Sequence, residues 1–199
     1  PKADLKKRLR DYVRSLEDLA IDYPDDTEAE AFLLKHIYYN NGKGLPIPSH
    51  YTINLLADKI LTTAPDHPAN HYQIHLWDRE RAEQALTAAA NCGPAAPGIA
   101  HMWHMPGHIY TKLKRYEDAV WQQEASARVD HKHMMRFQIV PDQIYNFAHN
   151  NEWCIRNLNF LGQFDRSVEL AENMISLPRR AKFKDCLLYT SPSPRDRSL

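Results

Sequence analysis

Histidine is the residue type in this sequence that offers the most chemistry. The chain of 199 residues contains 11 histidines, and His71 with His75, like His104 with His108, stand four positions apart. On a helix, such a pair shares one face, so two imidazoles could bind one metal ion together with a carboxylate from another helix. No HExxH or comparable catalytic motif accompanies them, and the spacing alone is common by chance.

The other reactive residues indicate no reaction. Cys92, Cys154 and Cys186 lie far apart and form no CxxC pair, which is typical of free, mostly buried thiols rather than of a disulfide framework. The sequence carries no nucleophile motif and no phosphate-binding loop. We therefore expect a module without enzymatic chemistry of its own.

Charge and hydropathy exclude two further classes of function. Acidic and basic residues balance at 25 each, so no net field attracts nucleic acid or an anionic membrane surface. The longest apolar runs, such as residues 29–34, are far shorter than the ~20 residues that a membrane span needs. We expect a soluble protein, either cytoplasmic or exported with a signal peptide lost upstream of Pro1.

The elements that must position these side chains are short helices. Apolar residues recur at helical spacing from Leu5 to Tyr23 and from Ile53 to Leu61. Thr27 and Glu30 have the spacing of a capping box, which predicts a second helix beginning at Thr27. Few residues alternate with a period of two, so we expect almost no strand.

An internal period organises these helices. Ala85 and Ala119 lie 34 residues apart in similar runs, RAEQAL and YEDAVW. This period resembles that of the tetratricopeptide repeat, whose signature begins W-x-x-L-G-x-x-Y. Trp103, Gly107 and Tyr110 occupy the signature positions.

Pro106 departs from that signature, because it replaces the leucine. Proline inside a helix removes a hydrogen bond and clashes with the preceding turn. We therefore expect the helix either to kink there or to begin near Met105. A beginning near Met105 would remove His101 and His104 from the face of His108.

The last repeat is predicted to contain a helix from Phe164 to Leu177. Its Ser167 follows Ala119 by 48 residues rather than 34, which predicts an inserted loop or extra helical turn around Pro141. The repeat resemblance implies an all-α, tetratricopeptide-like α-solenoid of stacked antiparallel helix pairs over residues 1–185.

Residues 186–199 have a different character. Their sequence, CLLYTSPSPRDRSL, resembles a translated sequencing adaptor and offers no periodic apolar face. We expect an artefactual or disordered tail; the alternative is a proline-rich linker. The repeat domain would then be a fragment of a longer protein.

Three blocks resemble a narrower family. Residues 67–78, 97–135 and 142–153, with the core HMPGH, are similar to bacterial, planctomycete-like tetratricopeptide-repeat proteins. Some members join the repeats to a redoxin domain, so the resemblance implies that this chain could be the repeat half of a redox protein. No thioredoxin-type CxxC is present here.

The repeat register predicts a polar binding surface. In tetratricopeptide repeats, the second, fifth and ninth positions of each first helix face a concave groove. The groove residues predicted in this way, with their polar neighbours, are His67, Asn70, His71, His75, Asp78, His101, His104, His108, Lys112, His149, Glu152 and Arg156.

Three interpretations of these residues stay open. The histidines and amides could satisfy one another between packed helices. They could form a groove that binds a peptide, a protein or a small ligand. They could also bind a divalent metal, in a metal-binding protein or a metal-dependent enzyme, for which His71, His75, His104 and His108, together with His149, are candidates. The leading hypothesis is a scaffold that binds a protein or peptide.

Overall fold

The computed structural model describes residues 2–180, and the proposed adaptor tail and Cys186 lie outside them. The described residues form helices and contain no strand, as the sequence predicts. The helices are α1 (Lys2–Asp22), α2 (Thr27–Asn41), α3 (His50–Thr63), α4 (Ala69–Trp77), α5 (Leu86–Ala95), α6 (Ala100–Lys112), α7 (Tyr116–Phe137), α8 (Tyr145–Phe160) and α9 (Phe164–Ser176). Across residues 2–180, no helix combines the length and apolarity needed to cross a membrane.

The start of α2 corrects one prediction. Asp26 caps the helix, and its carboxylate accepts hydrogen bonds from the backbone N–H groups of Glu28 at 3.0 Å and Ala29 at 3.1 Å. Aspartate is as good an N-cap as threonine and adds a negative charge at the positive end of the helix. The predicted helix start at Thr27 is confirmed, and only the predicted capping box is wrong, because Asp26 rather than Thr27 is the N-cap.

The chain divides into two compact units, Pro1–Asn91 and Cys92–Leu199. In the first unit, α1 packs on α2 and α3 on α4. Leu34, Ile60 and Ile74 are fully buried in it. Trp77 donates its indole N–H to Asn54 Oδ1 at 2.6 Å, which ties α4 to α3.

In the second unit, α6 packs on α7, α7 on α8 and α8 on α9. Ile109 and Ala119 are completely buried, and Cys154 and Leu158 pack with Val120. Apolar side chains on facing helices therefore form the core that positions the polar residues described below.

The glycine of the repeat signature marks a close helix crossing. A Cβ atom on Gly107 would lie 2.0 Å from Gln123 Nε2 on α7. Only glycine therefore lets α6 approach α7 at this point with Gln123 in its present position.

Pro106 lies within a continuous helix. The α6 helix begins at Ala100 and not near Met105, and Pro106 is buried inside it. Proline removes only the one hydrogen bond to the carbonyl of Met102, and the helix continues through it. His104 and His108 consequently share one helix.

The extra length predicted around Pro141 lies in a long α7 and in a short 3₁₀ turn at Pro141. The α7 helix continues to Phe137, Gln138 closes it in a left-handed conformation with a φ of 50°, and a 3₁₀ turn follows at Pro141–Gln143. Some of the residues added relative to the 34-residue period therefore lie in α7, which is longer than its partner α6.

Candidate functional site

Three histidines of the second unit converge on one point. His104 and His108 stand one turn apart on α6, and His149 comes from α8, which packs beside it. One ring nitrogen from each of the three lies within 4.8 Å of the others. We call His104, His108 and His149 the histidine cluster.

His104 is the fixed member of the histidine cluster. It is completely buried, and its Nδ1 lies 2.8 Å from Gln123 Oε1 and 3.0 Å from Asn150 Oδ1. Gln123 donates its amide to the carbonyl of His104, and Asn150 donates its amide to the carbonyl of Gln123. These backbone bonds turn both amide oxygens towards the ring.

This arrangement fixes the tautomer of His104. Two acceptor oxygens face Nδ1, so Nδ1 carries the proton and Nε2 presents its lone pair. Nε2 lies 2.9 Å from His108 Nε2. The buried ring therefore directs an electron pair into the histidine cluster.

Burial also sets the charge state of His104. The pKa of His104 is lowered to about 3, chiefly by the cost of burying a cation and also by the neighbouring His149 and His101, whereas its hydrogen bonds to Asn150 and Gln123 act to raise it. His104 is neutral at physiological pH.

Aromatic side chains flank the other two imidazoles. The rings of His108 and Trp153 have centroids 4.2 Å apart, and Tyr145 stacks on His149 at 6.4 Å. Arg156 lies over the Trp153 ring at 4.9 Å and forms an ion pair with Glu152. The predicted residues Glu152 and Arg156 are thus brought together beside the histidine cluster.

Buried and half-buried amides continue the polar contacts within and between the helices of this unit. Thr111 donates to Asn157 Oδ1 at 2.9 Å, and Asn157 donates to the carbonyl of Trp153 at 2.8 Å. Asn146 donates to Asp130 Oδ2 at 2.9 Å. For these amides, the structure agrees with the interpretation in which buried polar groups satisfy one another.

Sequence reasoning missed Gln123, Asn150 and Asn157, all of them fully buried. Gln123 lies on a second helix, outside the groove positions of the repeat register, and Asn150 and Asn157 each stand directly after such a position. The sequence pattern that could have identified them is an amide side chain that interrupts an otherwise apolar face of a helix.

Two of the residues predicted in the first unit have local structural roles. His67 Nδ1 accepts a hydrogen bond from the backbone N–H of Ala69 at 3.0 Å, at the start of α4. Asn70 is buried and donates to the carbonyls of Pro65 and His67, each at 3.0 Å. Both residues stabilise the entry to this helix.

His71 and His75 form a second pair in the first unit. Their Nε2 atoms lie 3.1 Å apart, and the His75 ring stacks on Tyr38 with centroids 4.9 Å apart. Both histidines are half-buried, as is Asp78. The spacing of four residues therefore brings two imidazoles together here as well.

The two remaining predicted residues are exposed. His101 lies with its Nδ1 3.3 Å from Asn146 Oδ1, and Lys112 stands in the last turn of α6. Neither belongs to the three-histidine group in the second unit.

The cysteines among the described residues are buried thiols. Cys92 and Cys154 are buried and free, and burial raises the pKa of each to about 12. A thiol becomes a nucleophile or metal ligand as a thiolate, and burial keeps both residues in the thiol form at neutral pH.

The second unit also contains a cleft that the sequence did not predict. It has a volume of about 500 Å³. Its walls consist of the residues before α6, one side chain of α6 and one face of α7 from Trp121 to Phe137. The cleft is lined by Pro97, Gly98, Trp103, Trp121, Ala125, Arg128, Val129, Lys132, His133, Arg136 and Phe137.

Comparison with solved structures defines the class of fold. A crystal structure of MamA protein matches with a TM-score of 0.64 at 13% identity, covering 86% of this chain and 83% of that one. MamA from position 41 to its end, from Desulfovibrio magneticus RS-1, matches with a TM-score of 0.63 at 14% identity, covering 86% and 88%. No protein-family model and no curated protein matches the sequence. The predicted class, an all-α tetratricopeptide-like solenoid of antiparallel helix pairs, is confirmed.

Proposed function

We propose that this chain is a protein-binding module whose second unit binds an acidic segment of a partner in the cleft between the start of α6 and the end of α7. The observation that carries this proposal is the lining of the cleft, which combines exposed aromatic rings with a row of cations. Aromatic residues and arginine are the types that dominate protein interfaces.

The apolar part of the cleft is built to accept a side chain. Trp121 is 53% exposed and Phe137 is 55% exposed. Trp103 meets Trp121 edge to face, with ring centroids 5.7 Å apart. Its indole donates to the carbonyl of Pro97 at 3.1 Å, and a Cβ on Gly93 would lie 2.3 Å from its ring. Large apolar surface held in a fixed position costs little entropy on binding.

The charged part of the cleft determines whether it favours an acidic or a basic partner segment. Arg128, Lys132 and Arg136 recur every four residues on one face of α7 and line the cleft together. Glu124, the carboxylate next to Arg128, lies 3.8 Å from it and pairs more closely with Arg166 at 2.6 Å. The row of cations therefore fits a segment rich in aspartate and glutamate, with one aromatic or large aliphatic side chain to contact Trp121.

The experiment uses the full chain and a fluorescent acidic peptide with one central phenylalanine. We expect binding in a fluorescence-anisotropy titration. Trp121→Ala should weaken it about tenfold or more, and Lys132→Glu should weaken it about three- to tenfold, because charge reversal replaces an attractive exposed pair by a repulsive one.

Lys112→Glu is the matched control, because it reverses an exposed charge near the histidines but outside the cleft. We expect unchanged affinity for this variant. Loss of binding in Lys112→Glu with retention in Lys132→Glu would reject the cleft and favour the histidine-lined surface that the repeat register predicts. A peptide in which lysine replaces every acidic residue should not bind, and equal affinity for both peptides would also reject the proposal.

A further inference from the structure

We propose that His104, His108 and His149 bind one divalent transition-metal ion of the zinc class. The convergence of three imidazoles from two helices carries this inference, since their candidate ligand nitrogens all lie within 4.8 Å of one another. This site is separate from the peptide cleft and does not depend on the protein-binding function.

The surroundings of His104 resemble those of a metal ligand in a known centre. A histidine that binds a metal through one nitrogen almost always donates its other N–H to a carbonyl or carboxylate, which fixes the ring. His104 has this arrangement: Gln123 and Asn150 accept from Nδ1, and Nε2 points at His108. The metal-binding lone pair is therefore already in position.

The distances require only a small adjustment. Zinc binds imidazole nitrogen at ~2.1 Å, so two ligands in a tetrahedral site lie ~3.4 Å apart. The Nε2 atoms of His104 and His108 are 2.9 Å apart, so their separation must increase by about 0.5 Å when an ion replaces the hydrogen bond between them. His108 and His149 are half-buried, and their side chains can make this adjustment while His104 stays fixed.

The ligand set indicates the kind of ion. Neutral imidazoles suit zinc, copper, cobalt and nickel, whereas magnesium and calcium require oxygen ligands. The histidine cluster offers three nitrogens and no carboxylate, and the nearby Glu152 pairs with Arg156. Three protein ligands leave one position of a tetrahedral ion open, which a water molecule or an atom of a bound partner could occupy.

The test starts from the full chain freed of metal by chelation and dialysis. Isothermal titration with Zn²⁺ should detect a site that His108→Gln and His149→Gln each weaken by at least about tenfold. Co²⁺ should give the visible absorption of a tetrahedral site in the wild type and lose it in both variants. Glutamine keeps approximate size and polarity, and circular dichroism would verify the fold of each variant.

His75→Gln is the matched control, because it removes one imidazole of the pair in the first unit. It should leave the site detected by Co²⁺ absorption unchanged. Loss of that absorption in His75→Gln, or unchanged zinc affinity in both His108→Gln and His149→Gln, would overturn the proposal.

A measurement on the wild type keeps the proposal testable if the variants fail to fold. Zn²⁺ should protect His108 and His149 from modification by diethyl pyrocarbonate, read by peptide mass spectrometry. Equal modification with and without Zn²⁺ would overturn the proposal. Trp121→Ala should retain zinc binding, so that failure of the peptide experiment and failure of this one are distinguishable.

Discussion

At the scale of single residues, His104 is the completely buried member of the histidine cluster. Gln123 and Asn150 satisfy its Nδ1, and burial excludes its charged form. A neutral ring with a directed lone pair is useful for binding a metal and costly to protonate. The burial and hydrogen bonds that orient the lone pair of His104 therefore also affect the free energy of unfolding.

This connection predicts acid sensitivity of the metal-free protein. The pKa of His104 is about 3 in the fold against 6.5 as a reference value, so between these pH values the unfolded chain binds a proton that the folded chain does not. The contribution to the free energy of unfolding is complete above pH 6.5 and decreases as the pH falls towards 3. At pH 5 the loss from this residue is about 2 kcal/mol, measurable by urea denaturation at pH 7 and pH 5.

The variant His104→Gln separates this residue from its titratable neighbours His101, His108 and His149. Its stability at pH 7 should be lower, but its loss between pH 7 and pH 5 should be smaller than that of the wild type. Nitrogen chemical shifts of the His104 ring provide the direct measurement. A titration midpoint near 6.5 in the folded protein would contradict the prediction.

The residues of the site were only partly predictable from the sequence. The spacing of His104 and His108 predicts that the two imidazoles share a face, and they lie in hydrogen-bond contact. The partners of Nδ1 could not be predicted, because Gln123 lies on α7 and Asn150 on α8, and their contacts depend on how closely these helices cross. The cleft was missed for a similar reason, since its aromatic residues belong to two helices whose relative position the sequence does not state.

At the scale of elements, the turns that join paired helices share one conformation. Lys114 has a φ of 59° between α6 and α7, and Gly162 has a φ of 71° between α8 and α9. In each turn, the next residue donates back into the helix end: Arg115 to Tyr110 at 2.8 Å, and Gln163 to Leu158 at 2.9 Å. This is the left-handed helix end that glycine favours.

Lys114→Gly should therefore stabilise the protein. A left-handed conformation costs a residue with a side chain about 1 kcal/mol or more, and the greater freedom of glycine in the unfolded chain offsets part of this. We expect the free energy of unfolding to rise by about 0.5–1 kcal/mol in urea denaturation at pH 7.

Gly162→Ala is the complementary variant. A Cβ at this position meets no atom within 4 Å, so any loss of stability comes from the backbone conformation alone, and we expect about 1 kcal/mol. If Lys114→Gly lowered the stability while Gly162→Ala also lowered it, the lysine side chain would have to contribute to its turn.

Element boundaries show where local sequence signals compete. Two N-caps of α2 are plausible: Thr27, with Glu30 three residues later, and Asp26, whose carboxylate can accept from the backbone N–H of Glu28. Asp26 is the N-cap in the structure. Pro106 is a strong local signal for a break, yet α6 passes through it. Packing against α7 outweighs a local preference of a few kcal/mol, and a single sequence does not contain that packing energy.

At the scale of the whole molecule, the repeat period predicted the class of fold because each helix pair must bury one apolar face against a neighbour. The same requirement applies to the apolar face of α9. Phe164, Val168 and Ile175 are 61%, 55% and 63% exposed, and with the half-buried Ala171 they form a stripe at helical spacing. An apolar stripe of this kind is the surface on which a further helix would stack.

We therefore expect this chain to self-associate through α9, with sedimentation coefficients that rise with concentration and a thermal transition that depends on concentration. The double variant Val168→Glu and Ile175→Glu should shift the protein to monomer, because burying two carboxylates in an apolar contact is unfavourable. Leu55→Glu on α3 changes a side chain of similar exposure, 49%, and should leave the association unchanged. A sharp thermal transition, independent of concentration, in the wild type would show instead that the exposed stripe of α9 is stable in water without a stacking partner.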